Sequence, residues 1–294
     1  MTSIDLITPE PPRRKPEWLK VRLPSGPSYE HVLGEVKRLD LHTVCQEAMC
    51  PNLGECWGAG TATIMILGDT CTRGCHFCNV KTGSPKGEVD WMEPKRVAQA
   101  VAELGWKYLV LTAVDRDDLA DGGAAIFANT VCTIHKQVPG AKVECLTGDF
   151  AGDLAALDIV LDAQPEVLAH NLETVARLQA HVRDRRANYA QSLSILEHAK
   201  RSGKVTYTKT SLMLGLGETE AEIAQAMDDA RAIGVDIFTM GQYLQPTKRH
   251  LPVEEFVTPE KFARLKMVGD AKGFVQVVAS PLSRSSYHAE QAFA

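Results

Sequence analysis

The 294-residue chain contains no apolar run long enough to cross a bilayer, and its N-terminus lacks the short apolar core of a secretory signal. These absences set the expectation of a cytoplasmic protein with no membrane partner. Positive charge is not in excess either: 32 Lys and Arg stand against 37 Asp and Glu, a formal net charge of −5. Without a global basic field, nucleic acid is not the expected partner. Two local basic runs, Arg183-Asp184-Arg185-Arg186 and Lys248-Arg249-His250, read as solvated faces. The glycine-rich dinucleotide fingerprint is missing from the early part of the chain, which removes the strongest sign of an open doubly wound sheet. What remains, 45% hydrophobic and 23% charged residues, is the make-up of an ordinary globular protein. It is long enough to bury a core without disulfides.

Residues 1–28 are rich in proline and charge and predict an extended arm, followed by a short helix near 29–39. From about residue 61, β-rich runs alternate with helical patterns. The strands are expected at 61–67, 108–114, 142–147, 167–170, 206–214 and 237–244, with a last run at 275–279. Helices are expected at 94–104, 122–137, 151–162, 188–202, 218–233 and 259–272. Pro94 and Thr258-Pro259-Glu260 supply helix starts, and Gly105, Gly203, Gly234 and Gly273 supply left-handed stops. Alternation at this rhythm predicts parallel strands joined by crossover helices. The expected fold is α/β, a partial (β/α)6 TIM-type barrel over 61–280. An N-terminal extension, 1–60, precedes it, and a C-terminal tail, 281–294, follows.

Six of the eight cysteines fall in 34 residues, as two triplets. Cys45, Cys50 and Cys56 are spaced C-x4-C-x5-C; Cys71, Cys75 and Cys78 are spaced C-x3-C-x2-C in the run CTRGCHFC. Three thiolates can wrap one corner of an iron–sulfur cluster and leave one iron open. Gly74 is expected to let the chain curl, and Phe77 to limit water. Zinc is the competing reading, but its structural sites usually take four ligands in C-x2-C pairs, and His76 would have to serve as the fourth. Cys132 and Cys145 lie outside the triplets and are expected to be buried and structural.

CTRGCHFC after a predicted barrel strand resembles the signature of the radical S-adenosylmethionine superfamily. The resemblance implies that Cys71, Cys75 and Cys78 hold a [4Fe–4S] cluster whose open iron chelates S-adenosyl-L-methionine, the source of a 5′-deoxyadenosyl radical. The upstream triplet is similar to the auxiliary-cluster motif of the lipoyl synthase family. The runs at 114–123, 170–174, 209–219 and 241–246 agree with that family, as does the tail Arg284-Ser285-Ser286-Tyr287. The resemblance implies a second [4Fe–4S] cluster on Cys45, Cys50 and Cys56, with a fourth ligand from Ser285 or Ser286. It implies insertion of two sulfur atoms, at carbons 6 and 8 of an octanoyl group on a carrier-domain lysine. The carriers would be 2-oxoacid dehydrogenase E2 or the glycine cleavage H protein. The further partners implied are a ferredoxin- or flavodoxin-type electron donor and an iron–sulfur carrier for cluster repair; a monomer is expected.

Further candidates lie outside the cysteine motifs. Asn171 and Glu173 can hydrogen-bond the cofactor's ribose or amino group, or cap the following helix. Gly215 and Gly217 can admit a flat ligand such as adenine, or make a tight turn. Arg116, in an acidic loop with Asp115, Asp117 and Asp118, can pair with a carboxylate at the active mouth. Lys209, if it faces the barrel interior, needs a partner. A methylthiotransferase-like radical enzyme and a non-catalytic iron–sulfur or zinc protein are the rival readings.

Overall fold

A computed structural model describes residues 14–21, 24–58, 62–287 and 289. Most of the expected N-terminal arm lies outside these residues. Helix α1 (Pro27–Arg38) leads through β1 (His42–Thr43) to the short helices α2 (Val44–Glu47) and α3 (Leu53–Gly58). The barrel then begins. Strand β2 (Thr63–Ile66) is followed by a small ladder of β3 (Thr70–Cys71) and β4 (Lys81–Thr82), and by α4 (Glu93–Leu104). Then come β5 (Tyr108–Ala113), α5 (Ala124–Gln137), β6 (Lys142–Leu146), α6 (Leu154–Asp162) and β7 (Val167–Ala169). The chain finishes with α7 (Gln179–Val182), α8 (Tyr189–Ser202), β8 (Tyr207–Leu214), α9 (Glu220–Ala232), β9 (Ile237–Gln242), α10 (Pro259–Ala271) and β10 (Gln276–Ala279).

The sheet order is β1-β2-β5-β6-β7-β8-β9-β10, with every pair parallel except β1 against β2. Each new strand joins the same edge, so the order never reverses. That is barrel winding, not the doubly wound order with its central switch. Six strand–helix units are present, as expected. The run at 275–279 adds a seventh parallel strand, and β1 adds an antiparallel edge that the sequence did not announce.

Helix ends follow local chemistry. Asn188 accepts a hydrogen bond from the Gln191 N–H, and Thr219 and Glu222 form a reciprocal capping box. The chain passes through left-handed Gly105 and Gly203 where α4 and α8 stop. One apolar core runs from Val32, Val36 and Trp57 of the extension into Ile64, Val97, Leu111 and Phe127 of the barrel. Tyr29 stacks on Trp57 at 5.4 Å. Cys145 is fully buried in that core, but Cys132 is exposed: its place on α5 faces solvent.

Lys209 does face inward, and it is paired. Its Nζ lies 3.0 Å from both Glu144 oxygens, with the two side chains 5% and 1% exposed, and Tyr108 donates to the same carboxylate at 2.6 Å. Removing one partner strands a buried charge. Lys209→Met is therefore expected to lower unfolding free energy by about 3–5 kcal/mol, read by denaturant titration. Lys209→Met with Glu144→Leu should recover most of that loss.

Candidate active site

Every βα loop opens at the same end of the sheet, and the cysteines gather there. Cys71 ends β3, and the β3–β4 ladder folds the intervening loop back on itself, with the Gly83 N–H on the Cys71 carbonyl at 2.9 Å. Backbone donors point at the sulfurs. The Arg73 N–H lies 3.4 Å from Cys71 Sγ, and the Asp184 N–H 3.3 Å from Cys75 Sγ. N–H donors favour the anionic thiolate, the form that binds metal. Burial opposes them, pushing the Cys75 thiol up to about 11 and Cys78 to about 12. Gly74 is not needed for the curl: its φ is not left-handed, and a Cβ there would make only ordinary contact with Thr82.

Cys45 sits in α2, capped by Thr43; Cys50 follows it, and Cys56 lies in α3. Burial raises Cys45 and Cys50, while the backbone of Thr63 favours the Cys45 thiolate and that of Asn52 and Leu53 the Cys50 thiolate. The tail reaches this segment from the far end of the chain. Asn52 Nδ2 donates to the Leu282 carbonyl at 2.6 Å, and the Tyr287 hydroxyl to Glu55 at 2.8 Å. Gly241 makes the approach sterically possible, because a Cβ there would overlap the Ser283 carbonyl.

One cavity of about 610 Å³ is lined by all six triplet cysteines, by Ser285 and Ser286, and by Asn171 and Glu173. Neither serine hydroxyl is hydrogen-bonded to the other described residues. Among the described residues no three metal-ligating side chains converge as a single ion requires. A mononuclear zinc site is built on such convergence, whereas in a four-iron cube each thiolate meets a different iron. The donor set, thiols served by N–H donors and lining one cavity, fits iron–sulfur chemistry.

The inner wall holds Arg73, which the sequence reading missed, together with buried groups whose partners it did not foresee. Arg73, inside the cysteine motif, is 3% exposed and reaches Asp117 and Asp149 at 2.7 Å each and Asp115 at 3.7 Å. Burial pushes the Asp115 carboxyl up to about 6 despite Arg73. Buried His170 accordingly falls to about 4, which keeps the ring neutral. Its Nδ1–H then donates to the Thr147 carbonyl and its Nε2 accepts from Ser192, both at 2.9 Å. Buried Arg183 donates to Ser192 at 2.7 Å and to Gln179 at 3.2 Å. Arg284 of the tail is pulled below its usual range by burial, against the pull of the Cys50 thiolate.

Asn171 donates to Glu173 at 3.1 Å, and its Oδ1 is buried without a partner. Glu173 holds a left-handed φ of 66°, uncommon for a residue with a side chain, and burial raises its carboxyl. Neither caps a helix. Three expected residues are not brought to the cavity. Arg116 is spent on Asp118 at 2.8 Å and on the Glu88 carbonyl at 2.7 Å, beside a separate, smaller hollow. Gly215 and Gly217, with φ of 98° and 101°, make a tight turn whose Gly215 and Leu216 N–H groups bind the buried Glu218 carboxylate. A Cβ on Gly215 would overlap Gln242 and the Glu255 carbonyl, so the freedom serves packing rather than a flat ligand.

Comparison with known proteins places the chain among relatives. Residues 65–230 match the family model of the radical SAM superfamily, and residues 7–50 that of the N-terminal domain of lipoyl synthase. The chain is 59% identical to the lipoyl synthase of Thermus thermophilus over 97% of its own length and 88% of that protein's. It is 56% identical to the chloroplastic lipoyl synthase 1 of Populus trichocarpa (97% and 77%) and 54% identical to the mitochondrial lipoyl synthase of Danio rerio (95% and 71%). Solved structures of methylornithine synthase and of a maturase of the [FeFe]-hydrogenase share the fold at 13% identity. Their TM-scores are 0.53 and 0.58, over 90% and 86% of this chain and 81% and 68% of theirs.

If Gly241 exists to admit the tail, Gly241→Ala should lift it from the extension. Limited trypsin digestion is expected to cut after Arg284 at least about fivefold faster in the variant, with the thermal midpoint lowered by only a few degrees. Equal digestion rates would mean that the tail is held elsewhere.

Proposed function

From the premise that this chain belongs to the lipoyl synthase family of the radical S-adenosylmethionine superfamily, we propose which of its residues carry the family's sulfur insertion. Members of the family use S-adenosyl-L-methionine and two [4Fe–4S] clusters. When bound, these groups supply the radical that breaks an unactivated C–H bond and the sulfide that replaces the hydrogen. Cys71, Cys75 and Cys78 hold the cluster that meets the methionine part of the cofactor. Cys45, Cys50 and Cys56 hold the auxiliary cluster, with Ser285 or Ser286 as its fourth ligand. The observation that carries this reading is the single cavity shared by both triplets and the tail serines.

The remaining wall binds and orients. Asn171 and Glu173 present polar groups to the cofactor's ribose or amino group, and the buried Asn171 oxygen awaits a donor. Arg73, fixed by three aspartates at the cavity wall, holds the cysteine loop against the loops after β5 and β6. Phe77, Met65 and Met213 provide apolar lining for an octanoyl chain and exclude water. Position is the main lever here, because a misplaced radical would attack protein. The extension, barrel and tail work as three parts: a cluster holder, a cofactor bowl and a closing strap.

The substrate is an octanoyl group amide-linked to a lysine of a lipoyl carrier domain, of the 2-oxoacid dehydrogenase E2 or glycine cleavage H type, thiolated at carbons 6 and 8. A ferredoxin- or flavodoxin-type protein supplies low-potential electrons, and an iron–sulfur carrier restores the auxiliary cluster. The enzyme works as a cytoplasmic monomer. Among the described residues no helix is long and apolar enough to cross a membrane.

Separate roles for the triplets have a direct test. Cys45→Ala should keep reductive cleavage of S-adenosylmethionine, read as 5′-deoxyadenosine, yet give no thiolated octanoyl peptide by mass spectrometry. Iron content after anaerobic reconstitution should fall from about eight to about four per chain. Cys71→Ala should lose both activities. A folded Cys45→Ala protein that cleaves nothing would refute the division.

A further inference from the structure

The exposed members of the two basic runs belong to segments that meet the back of one loop, whereas Arg183 of the first run, expected on a solvated face, is buried and lines the cavity. Residues of the Cys71–Cys78 loop alternate between two sides. Cys75, Phe77 and Cys78 line the cavity, while Gly74 and His76 do not and are exposed. Around that exposed back, two segments grip the loop. From the first, the Gly74 N–H donates to Asp184 at 2.9 Å, Arg186 donates to the Thr72 carbonyl at 2.7 Å, and the His76 N–H donates to the Val182 carbonyl at 2.9 Å. From the second, His250 Nε2 donates to the Cys78 carbonyl at 3.0 Å, and the Leu251 N–H to the His76 carbonyl at 3.3 Å.

These bonds bring the chain segments that bear the cations up to the loop. Arg185 follows Asp184, whose N–H reaches Cys75 Sγ; Arg249 and Lys248 precede His250, which reaches Cys78. Arg185, Lys248 and Arg249 are exposed, and none takes part in an ion pair with another described residue. The nearby acids are already committed: Asp184 to Arg186 and Gly74, Asp117 to Arg73 and Arg186. The result is a cationic collar around exposed backbone, on a chain whose net charge is −5.

We propose that this collar of Arg185, Lys248 and Arg249 around Gly74 and His76 is the docking face for a small acidic one-electron carrier protein with a low-potential flavin or iron–sulfur centre. The inference rests on the proposed role of Cys71, Cys75 and Cys78 as cluster ligands, and it adds where the electron arrives. One electron leaves the carrier's reduced centre and enters the cluster on those thiolates; no group is transferred. The collar favours this occupant over the acylated carrier domain because it lies behind the loop. The acyl chain must instead enter the cavity, which none of the collar residues lines. Charge complementarity of this kind acts on encounter rate and salt dependence more than on contact energy.

The test uses the reconstituted holoenzyme bearing Arg185→Glu, Lys248→Glu and Arg249→Glu together, with photoreduced flavodoxin as the probe. Calorimetric affinity for flavodoxin should weaken at least about tenfold, and the salt dependence of cluster reduction, followed by visible bleaching, should flatten. With dithionite as reductant, sulfur insertion into an octanoyl-lysine peptide and into an octanoylated carrier domain should match the parent enzyme. Unchanged flavodoxin affinity would overturn the proposal. So would a raised KM for the carrier domain under dithionite with flavodoxin binding intact, which would give the collar to the substrate protein. If the parent enzyme with dithionite fails to thiolate the peptide, the functional reading itself falls; flavodoxin affinity still decides the docking face.

Discussion

Two stretches separated by most of the chain, residues 45–56 and 283–287, must meet over one barrel mouth, and the rest of the site depends on that meeting. Among the described residues the contact includes the bonds of Asn52 to the Leu282 carbonyl and of Tyr287 to Glu55. Each is worth about 1 kcal/mol net, too little to gather a wandering tail. The barrel does most of the gathering. β10 delivers the chain beside β9, the Gln242 N–H holds the Pro281 carbonyl at 3.2 Å, and bare Gly241 lets Ser283 lie against the strand. Loop closure is costly chiefly for what remains unfixed, and Ser285 and Ser286 lie only two and three residues beyond Ser283.

An incompletely closed sheet leaves room for the cavity, and burial then governs its chemistry. Thiols and carboxyls facing it are pushed toward their neutral forms, and His170 is kept uncharged. The guanidinium of Arg73 stays charged because three aspartates surround it. A positive centre placed among such groups reverses the trend and draws out thiolates, since a bound metal is the largest local charge. The backbone N–H groups aimed at Cys71 and Cys75 prepare that change without supplying it.

Much of this was legible in the amino-acid sequence because it is local. Strand and helix alternation, the glycine stops and the proline starts lie within a few residues of what they control, and the six strand–helix units appear within two or three residues of expectation. The cysteine triplets were legible for the same reason. Arg73 was not, although it sits inside the motif, because its meaning depends on Asp115, Asp117 and Asp149 arriving from two other loops. Arg116 and Gly215 misled for the complementary reason. Each has the residue type and neighbourhood of a ligand contact, yet each is consumed by packing that only the tertiary structure reveals. Cys132 shows the limit of composition: an apolar stretch of helix still has an outer face.

The two triplets differ in how firmly the fold holds them. Cys71–Cys78 is tied to the barrel by a strand ladder, an arginine fixed by three acids and hydrogen bonds from two further loops. Cys45–Cys56 rides on two short helices, and the turn at 285–287 offers serine hydroxyls that bond no other described residue. Serine oxygen is a harder donor than thiolate and a poorer match for iron in a sulfide cluster. A cluster meant to persist gains from the first arrangement, and one meant to be dismantled and rebuilt gains from the second. The two triplets are therefore held with graded firmness: Cys71–Cys78 is built into the barrel, and Cys45–Cys56 is held by contacts with residues 282–287 that can open without unfolding the sheet.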